Sequence, residues 1–484
     1  MTVPNFAGEF CHRHYAALAA LVLGLAAFNL SFRLDREFVT EWDESLYAIS
    51  AWEMADHGDW IGVTTYGKLD YYNTKPPLNV WLLELAFKVF GRTIFSLRIA
   101  SALSAWLTVL ALMIWSRRRF SGEVSLVAGT VLATTFGFLH VHSGRTANTD
   151  ALFTLLVLLV VITTSEEDRR PWLRVWLGPI LAAAFMLRGL GVLMPLAIVV
   201  AVDAFRRERW RERLAPTGIA IALLLAPTGA WAWARYRLDE WAFLGRMFSY
   251  DFVGRSLQAL EGHSGGPLFY LNILLKHQYD WVAACIVAAI VCPPLAARLP
   301  MWVGSWQTRG GLFVTLAAWA ACTLLLPTIM ATKVPWYLNT FYPMFALGVA
   351  VLLVAAFRRL SATPDLRARL VVLAAFAVIA LGTAEAKIWA YSYRYRDLRH
   401  SAQGLLLDHG DRLAGRRVFR DRRDNSATFV AGLVGVELRS VSSVSEFLSE
   451  SKRGDFLLAS AHHHRRHKMR VVASNDGNWL LLRR

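Results

Sequence analysis

Apolar residues run in long blocks along most of this chain, and a polar or basic break closes each block. A bilayer crossing takes about 20 apolar residues in a helix. Eleven stretches approach that length, near 14–33, 96–116, 124–141, 150–164, 172–187, 189–205, 214–234, 278–297, 312–331, 336–357 and 367–388. The fourth is short, and only "LRGLG" at 187–191 parts the fifth from the sixth. The pattern predicts a polytopic α-helical membrane protein with about 11–13 transmembrane helices. Past residue 394 the period shortens. "RRVFRD", "VELRSV", "DFLLAS" and "KMRVVAS" read as strands, with "SATFVAGLVG" and "VSEFLSESKRG" as helical stretches between some of them. Residues 1–394 are thus expected to form a transmembrane domain and 395–484 a small α/β domain.

Composition agrees with the pattern. Of 484 residues 55% are hydrophobic and 18% charged, more apolar surface than ordinary soluble domains hide. The net charge of +16 sits at the ends of apolar runs, in Arg117–Arg119, "RRERWRER" at 206–213 and Arg358–Arg359. Cytoplasmic loops carry such clusters. No basic patch interleaved with aromatics marks a soluble segment, so nucleic acid is not an expected partner. With the N-terminus inside, 34–95, 142–149, 235–277 and 332–335 fall outside. An odd number of spans carries the tail outside as well, which in a two-membrane bacterium is the periplasm. The first apolar run lacks a small-residue cleavage site and is expected to stay as a span. Cys11, Cys285, Cys292 and Cys322 lack metal-like spacing and are expected as small hydrophobes. "HHHRRHK" at 462–468 reads as a solvated basic loop, with metal chelation or contact to anionic lipid as the other readings. No internal repeat is visible, which gives no support to a transporter built from inverted repeats.

The polar chemistry gathers on the outer side. The first outer loop, 34–95, is too long for a simple connector. Trp42-Asp43-Glu44 precedes a helix-compatible stretch at 45–56, where Asp43 is either an N-cap or a catalytic carboxylate at the membrane face. In "YNTKPPLNVWLLELAFKVFG" the Pro-Pro pair fits the first turn of a helix reaching about Phe90, with Gly91 to stop it. Lys75 then precedes free backbone N–H groups, an anion site suited to phosphate; the alternative is a lysine snorkelling to lipid headgroups. "HVHSGRTANTDALF" repeats the combination with Arg145 and Asp150, the latter again a cap or a site acid. "SYDFVGR", "HSGGPLFYL" and "TKVPWY" add Arg255, His263 and Lys333 on the same face. Carboxylates and cations beside aromatics suit an anionic lipid headgroup and a polar group reacting with it.

The order of these motifs resembles a known family. Asp43-Glu44…Tyr47-Ala48, Gly58-Asp59-Trp60, Lys75-Pro76-Pro77-Leu78, Trp81, Phe90-Gly91 and Arg98 are similar to the polyprenyl-phosphate-sugar-dependent GT-C glycosyltransferases. That superfamily includes the bacterial aminoarabinose (lipid A) transferases and the protein O-mannosyltransferases. The likeness continues through Arg145…Asp150, His263…Pro267…Tyr270 and Lys333-Val334-Pro335-Trp336-Tyr337, over most of residues 35–345. It implies a GT-C fold with juxtamembrane helices in the first outer loop and fits the small extracytoplasmic domain. It also implies Asp43, Glu44 and Asp150 as catalytic acids and Lys75 as a contact to the lipid phosphate. Tyr47, Arg145, Arg255, His263, Lys333 and Tyr337 would be further substrate contacts. Many relatives carry Thr-Lys-Gly-Pro where this chain reads "LRGLG", so Arg188 stands in place of that lysine. The sugar and lipid preferences of relatives therefore do not transfer.

The expected function is an inverting glycosyl transfer from an undecaprenyl-type phosphate carrier. The expected acceptors are lipid A, lipopolysaccharide core or protein, at the periplasmic face of a bacterial inner membrane. No cofactor is required by this chemistry. A divalent cation is an open option, with Asp43, Glu44, Glu84, Asp150 and His263 as available ligands but no diagnostic spacing. A lipid or glycolipid flippase is the main alternative, and a non-catalytic envelope scaffold the third. A flippase predicts polar residues buried mid-helix, whereas the acids here gather in the first outer loop and at helix starts. The sequence does not name the sugar.

Overall fold

The computed structural model describes residues 6–167, 170–205, 210–292, 306–460 and 469–483. Among them, eight apolar helical stretches are long enough to cross a bilayer, so the chain is a multi-pass membrane protein. They include α1 (Phe6–Ser31), α4 (Ile94–Arg119) and α10 (Trp210–Asp239). The eleven expected spans differ from this count at three places, each with a local cause. The third is broken: α5 (Gly122–Ala133) ends at Thr134, and the short α6 (Phe136–His140) follows. The fourth, α7 (Asp150–Glu166), has 17 residues. The fifth and sixth share one apolar stretch, Pro171–Phe205, but fold as α8 (Leu177–Arg188) and α9 (Leu193–Phe205). Gly189 between them sits at φ +55, where a β-carbon is strained.

The first loop forms a layer of short elements. Helix α2 (Asp43–His57) ends on Gly58 at φ +73, and a two-residue turn, Tyr66-Gly67, joins β1 (Thr64–Thr65) to β2 (Lys68–Leu69). Helix α3 (Leu78–Phe90) starts after Pro77 and stops at Gly91, as the Pro-Pro and Gly positions predict. Thr93 and Ser96 then cap α4 reciprocally, each side chain bonding the other's backbone N–H.

The tail forms a five-stranded sheet of β3 (Val418–Arg420), β4 (Leu438–Ser440), β5 (Phe456–Ala459), β6 (Arg470–Asn475) and β7 (Asn478–Leu482). The order is β4-β3-β5-β7-β6, parallel across β4-β3-β5 and antiparallel across β5-β7-β6. Strand β7 was not among the expected strands. The "HHHRRHK" run lies outside the described residues. All four cysteines are free thiols in buried or half-buried positions.

Two apolar cores result. One fills the helical bundle. The second joins Tyr47, Ala48, Leu83 and Phe87 of the first loop to Leu405, Leu406, Phe429, Val430 and Leu480 of the tail. The small domain is therefore packed onto the back of the first outer loop rather than hung from a linker.

Candidate active site

Residues of that loop also line a cavity of about 1100 Å³. Its lining includes the polar side chains Asp43, Lys75, Asp150, Arg188, Arg255 and His263. The same lining includes apolar residues, Leu193, Met194 and Ala197 of α9 with Leu326, Pro327, Ile329 and Met330.

Asp43 is the first residue of α2, and Trp42 occupies the cap position, so the carboxylate does not serve as the N-cap. Trp42 has φ +69, a left-handed conformation that a non-glycine residue keeps only when its surroundings hold it. Glu41 supplies the hold, its two carboxylate oxygens accepting the backbone N–H groups of Asn425 and Ser426 at 2.9 Å each. These lie in the first turn of the tail helix Asn425–Leu433, where a carboxylate is favoured. Asp43 Oδ2 lies 3.7 Å from His142 Nδ1.

Lys75 lies two residues before the Pro77 cap of α3. Its Nζ donates to Asn73 Oδ1 at 3.1 Å and lies 5.7 Å from the Tyr47 ring centre. Burial opposes the ammonium, but Tyr47, Asp43 and Asp251 outweigh it and raise its pKa above the ordinary lysine range. Lys75 is therefore a fixed cation. Asp150 opens α7 behind Thr149, and its carboxylate accepts from Arg188 Nη1 at 2.9 Å instead of capping the helix. Arg188 also lies over Phe153 and Tyr337. Arg255 donates to Asp251 at 2.9 Å and lies 3.6 Å from Glu261. Glu261 accepts from Tyr250 at 2.7 Å and Tyr72 at 3.2 Å. Backbone bonds from Ala331 to Ser256, Thr332 to Arg255 and Lys333 to His263 tie this segment to 331–333.

The structure thus brings Asp43, Tyr47, Lys75, Asp150, Arg255, His263 and Tyr337 to one cavity. It does not bring Glu44, Arg145 or Lys333 there. Glu44 is fully buried and grips Arg98 through both oxygens, at 2.7 and 3.2 Å, while accepting from Thr40 and the Ala147 N–H. Arg145, equally buried, bonds Glu37 at 2.7 and 2.9 Å and the carbonyls of Asn29 and Phe32. Lys333 donates to the Met330 carbonyl. The corrections at Glu44 and Arg145 share one cause, since their bonding capacity goes to protein partners, whereas Lys333 is turned to the Met330 carbonyl. The residues considered for a cation do not converge either. Glu44 is taken by Arg98 and Glu84 by Lys88. Among the described residues no group of three or more His, Cys, Asp or Glu is placed to hold a metal.

Sequence reasoning missed His142, Asp251 and Glu261. His142 was visible as the second histidine of "HVHSGR", three residues before the motif arginine. Asp251 and Glu261 sit in irregular helical turns whose course no period announces.

Comparisons with known proteins follow the same lines. Residues 74–233 match the family described as Dolichyl-phosphate-mannose-protein mannosyltransferase. The undecaprenyl phosphate-alpha-4-amino-4-deoxy-L-arabinose arabinosyl transferase of Pseudomonas aeruginosa (strain LESB58) is 29% identical over 327 residues, 65% of this chain and 56% of that protein. The chain thus spans little more than half the length of this curated relative. The crystal structure of ArnT from Cupriavidus metallidurans bound to undecaprenyl phosphate superposes with a TM-score of 0.69 at 17% identity, covering 96% of this chain and 97% of that one. The archaeal oligosaccharyltransferase AglB from Archaeoglobus fulgidus gives a TM-score of 0.52 at 14% identity over 85% of this chain and 63% of its own. The chain has the GT-C fold shared by these proteins, and in sequence it is similar to the polyprenyl-phosphate-sugar-dependent GT-C glycosyltransferases.

Proposed function

We propose that this protein is an inverting glycosyltransferase that moves a sugar from an undecaprenyl-type phosphate carrier to an envelope acceptor. The acceptor class is lipid A, lipopolysaccharide core or another glycoconjugate at the periplasmic face of a bacterial inner membrane. The observation that carries the reading is one cavity whose lining combines cations and carboxylates with an apolar wall. A prenyl chain fits the apolar wall, and its phosphate fits Lys75, Arg188 and Arg255.

In the reaction the acceptor oxygen attacks the anomeric carbon from the face opposite the phosphate. The carbon–oxygen bond to phosphate breaks, and its electron pair leaves on the phosphate. The cations stabilise the charge that grows there. Where the acceptor is a hydroxyl, its proton passes to Asp43, a step that contributes about 10²–10⁴-fold. Where it is a lipid phosphate, already anionic, Asp43 orients the sugar instead. Asp150, held by Arg188, completes the acidic wall.

The test incubates purified protein with a radiolabelled undecaprenyl-phosphate sugar and crude envelope acceptor. Covalent label in the acceptor supports the reading. Movement of donor across a bilayer without transfer makes the protein a flippase. Asp43→Asn and Lys75→Ala, produced at normal levels, are expected to abolish transfer, and retention in both overturns the assignment.

A further inference from the structure

His142 lines the cavity and faces Asp43. Its backbone sits at φ +52, outside the regions open to most residues. Its ring lies flat on Trp336, with centroids 3.9 Å apart and planes 12° apart. The stack fixes the plane of the imidazole and points Nδ1 toward Asp43 Oδ2, 3.7 Å away. Both side chains remain partly open, 28% for His142 and 38% for Asp43. Several charged groups act on the ring: Asp43 and Glu44 from α2, Lys75 ahead of α3, and Asp150 at the start of α7. His263 lies across Trp336, 6.0 Å from its ring centre.

This arrangement differs from packing alone. A strained backbone costs about 1–3 kcal/mol and persists where the surroundings over-determine it. Phenylalanine would fill the stack on Trp336 equally well, so stacking gives no reason for an imidazole. Phenylalanine lacks the ring nitrogens, one of which, Nδ1, faces the carboxylate. Burial, ahead of the opposing pull of Asp43, Asp150 and Glu44, pushes the His142 pKa below the ordinary histidine range. Near neutral pH the ring is therefore uncharged and carries one N–H donor and one lone pair.

We propose that His142 is a positioning residue for Asp43: clamped by Trp336, it donates Nδ1–H to one carboxylate oxygen and turns the other toward the reacting sugar. The inference rests on the reading of Asp43 as the site carboxylate of a sugar transferase. The present 3.7 Å separation is longer than a hydrogen bond, and bonds of this kind tighten once substrate fills the site. No proton changes hands in this step. Protonation of His142 turns the contact into an ion pair, which weakens Asp43 as a base. Activity is then lost as pH falls through the depressed His142 pKa.

The experiment measures kcat and KM against pH for full-length protein with the undecaprenyl-phosphate sugar, in wild type, His142→Phe and His142→Gln. His142→Phe keeps the stack and is expected to lower kcat about 10- to 100-fold, with KM nearly unchanged. Its acid limb moves to lower pH. His142→Gln, which restores a neutral N–H donor, recovers part of kcat and keeps the shifted limb. Wild-type kcat with an unmoved limb in His142→Phe overturns the proposal. So does an equal loss in both variants accompanied by lowered melting temperatures, which marks a structural role. Asp43→Asn separates the two levels of the argument. If it still transfers sugar, the reading of Asp43 falls and takes this inference with it. If it is inactive while His142→Phe behaves as wild type, the inference alone falls.

Discussion

Two clusters of acids and cations both draw on the first loop. The buried one holds Glu37, Glu44, Arg98, Arg145 and Arg396, each nearly without exposed surface. The cavity one holds Asp43, Lys75, Asp150, Arg188 and Arg255. They even share adjacent residues, since Asp43 belongs to one and Glu44 to the other. Arg98 shows what separates them. It bonds Glu44 twice and the carbonyls of Leu34, Glu37 and Phe38 at 2.8–2.9 Å, so it stitches α4 to the loop that leads into α2. Arg396, after the last long helix, reaches the Phe38 carbonyl as well. Charges buried and paired inside the fold hold the loops in place, and those that line the cavity are the ones a substrate can reach.

Breaking the buried cluster is expected to have the largest effect. Removing one partner of a buried pair strands the other charge, at a cost of about 3–5 kcal/mol. Arg98→Ala and Glu44→Ala should therefore unfold or fail to accumulate, read as lost monodisperse protein in detergent. Arg98→Lys should fail nearly as badly, because an ammonium cannot reproduce the five-donor fork. Asp43→Asn, one residue from Glu44, should melt as wild type does. A stable, well-packed Glu44→Ala protein would erase the distinction between the clusters.

Acid sharpens the same contrast. Burial works against the Glu37 carboxylate, but His140, Arg145, Arg396 and Arg98 outweigh it and bring its pKa down to about 2. A depressed carboxylate stabilises the fold above its unfolded pKa, and that share is lost as pH falls through the folded value. Thermal melts should therefore lose stability progressively from the ordinary glutamate range, about 4.3, toward pH 2. A melting temperature flat across that window would show that Glu37 is not held by its cations.

Sequence made much of this legible and left a definite remainder. Apolar blocks, the Pro-Pro start of α3 and its Gly91 stop are local signals, and they placed the loop that carries Asp43 and Lys75. The division between Asp43 and Glu44 is not local. Consecutive helical side chains point about 100° apart, so an acidic pair at a helix start must face two surroundings. Which one meets the cavity depends on Arg98, more than fifty positions away in sequence. Arg145 read as a phosphate contact because it precedes a helix start. The helix there presents Asp150 to the cavity, whereas Arg145 turns inward to Glu37. Strand β7, "NWLLL", was missed because a run of apolar residues without alternation has no strand period to detect.

Within the cavity, the pair with coupled charges should matter more than the peripheral histidine. Asp150 and Arg188 share one bond at 2.9 Å with little exposure on either side. Single Asp150→Asn and Arg188→Ala losses in kcat/KM should therefore not add in the double variant, with a coupling of about 0.5–3 kcal/mol. Simple additivity would separate the two residues.

His263 should give the smallest effect of all, although its motif was among those that suggested the site. Its side chain is 40% exposed and meets Glu261 only at 4.0 Å. Its firmest contribution is the backbone carbonyl that accepts the Lys333 N–H at 3.1 Å, and substitution leaves that bond intact. Exposed pairs of this kind are worth about 0–1 kcal/mol. His263→Ala should therefore change kcat/KM by less than about fivefold, since 1.4 kcal/mol corresponds to a factor of ten. A loss of a hundredfold or more would mean that His263 contacts the donor directly once it binds. The line between buried and accessible charges would then have to be drawn in the liganded protein.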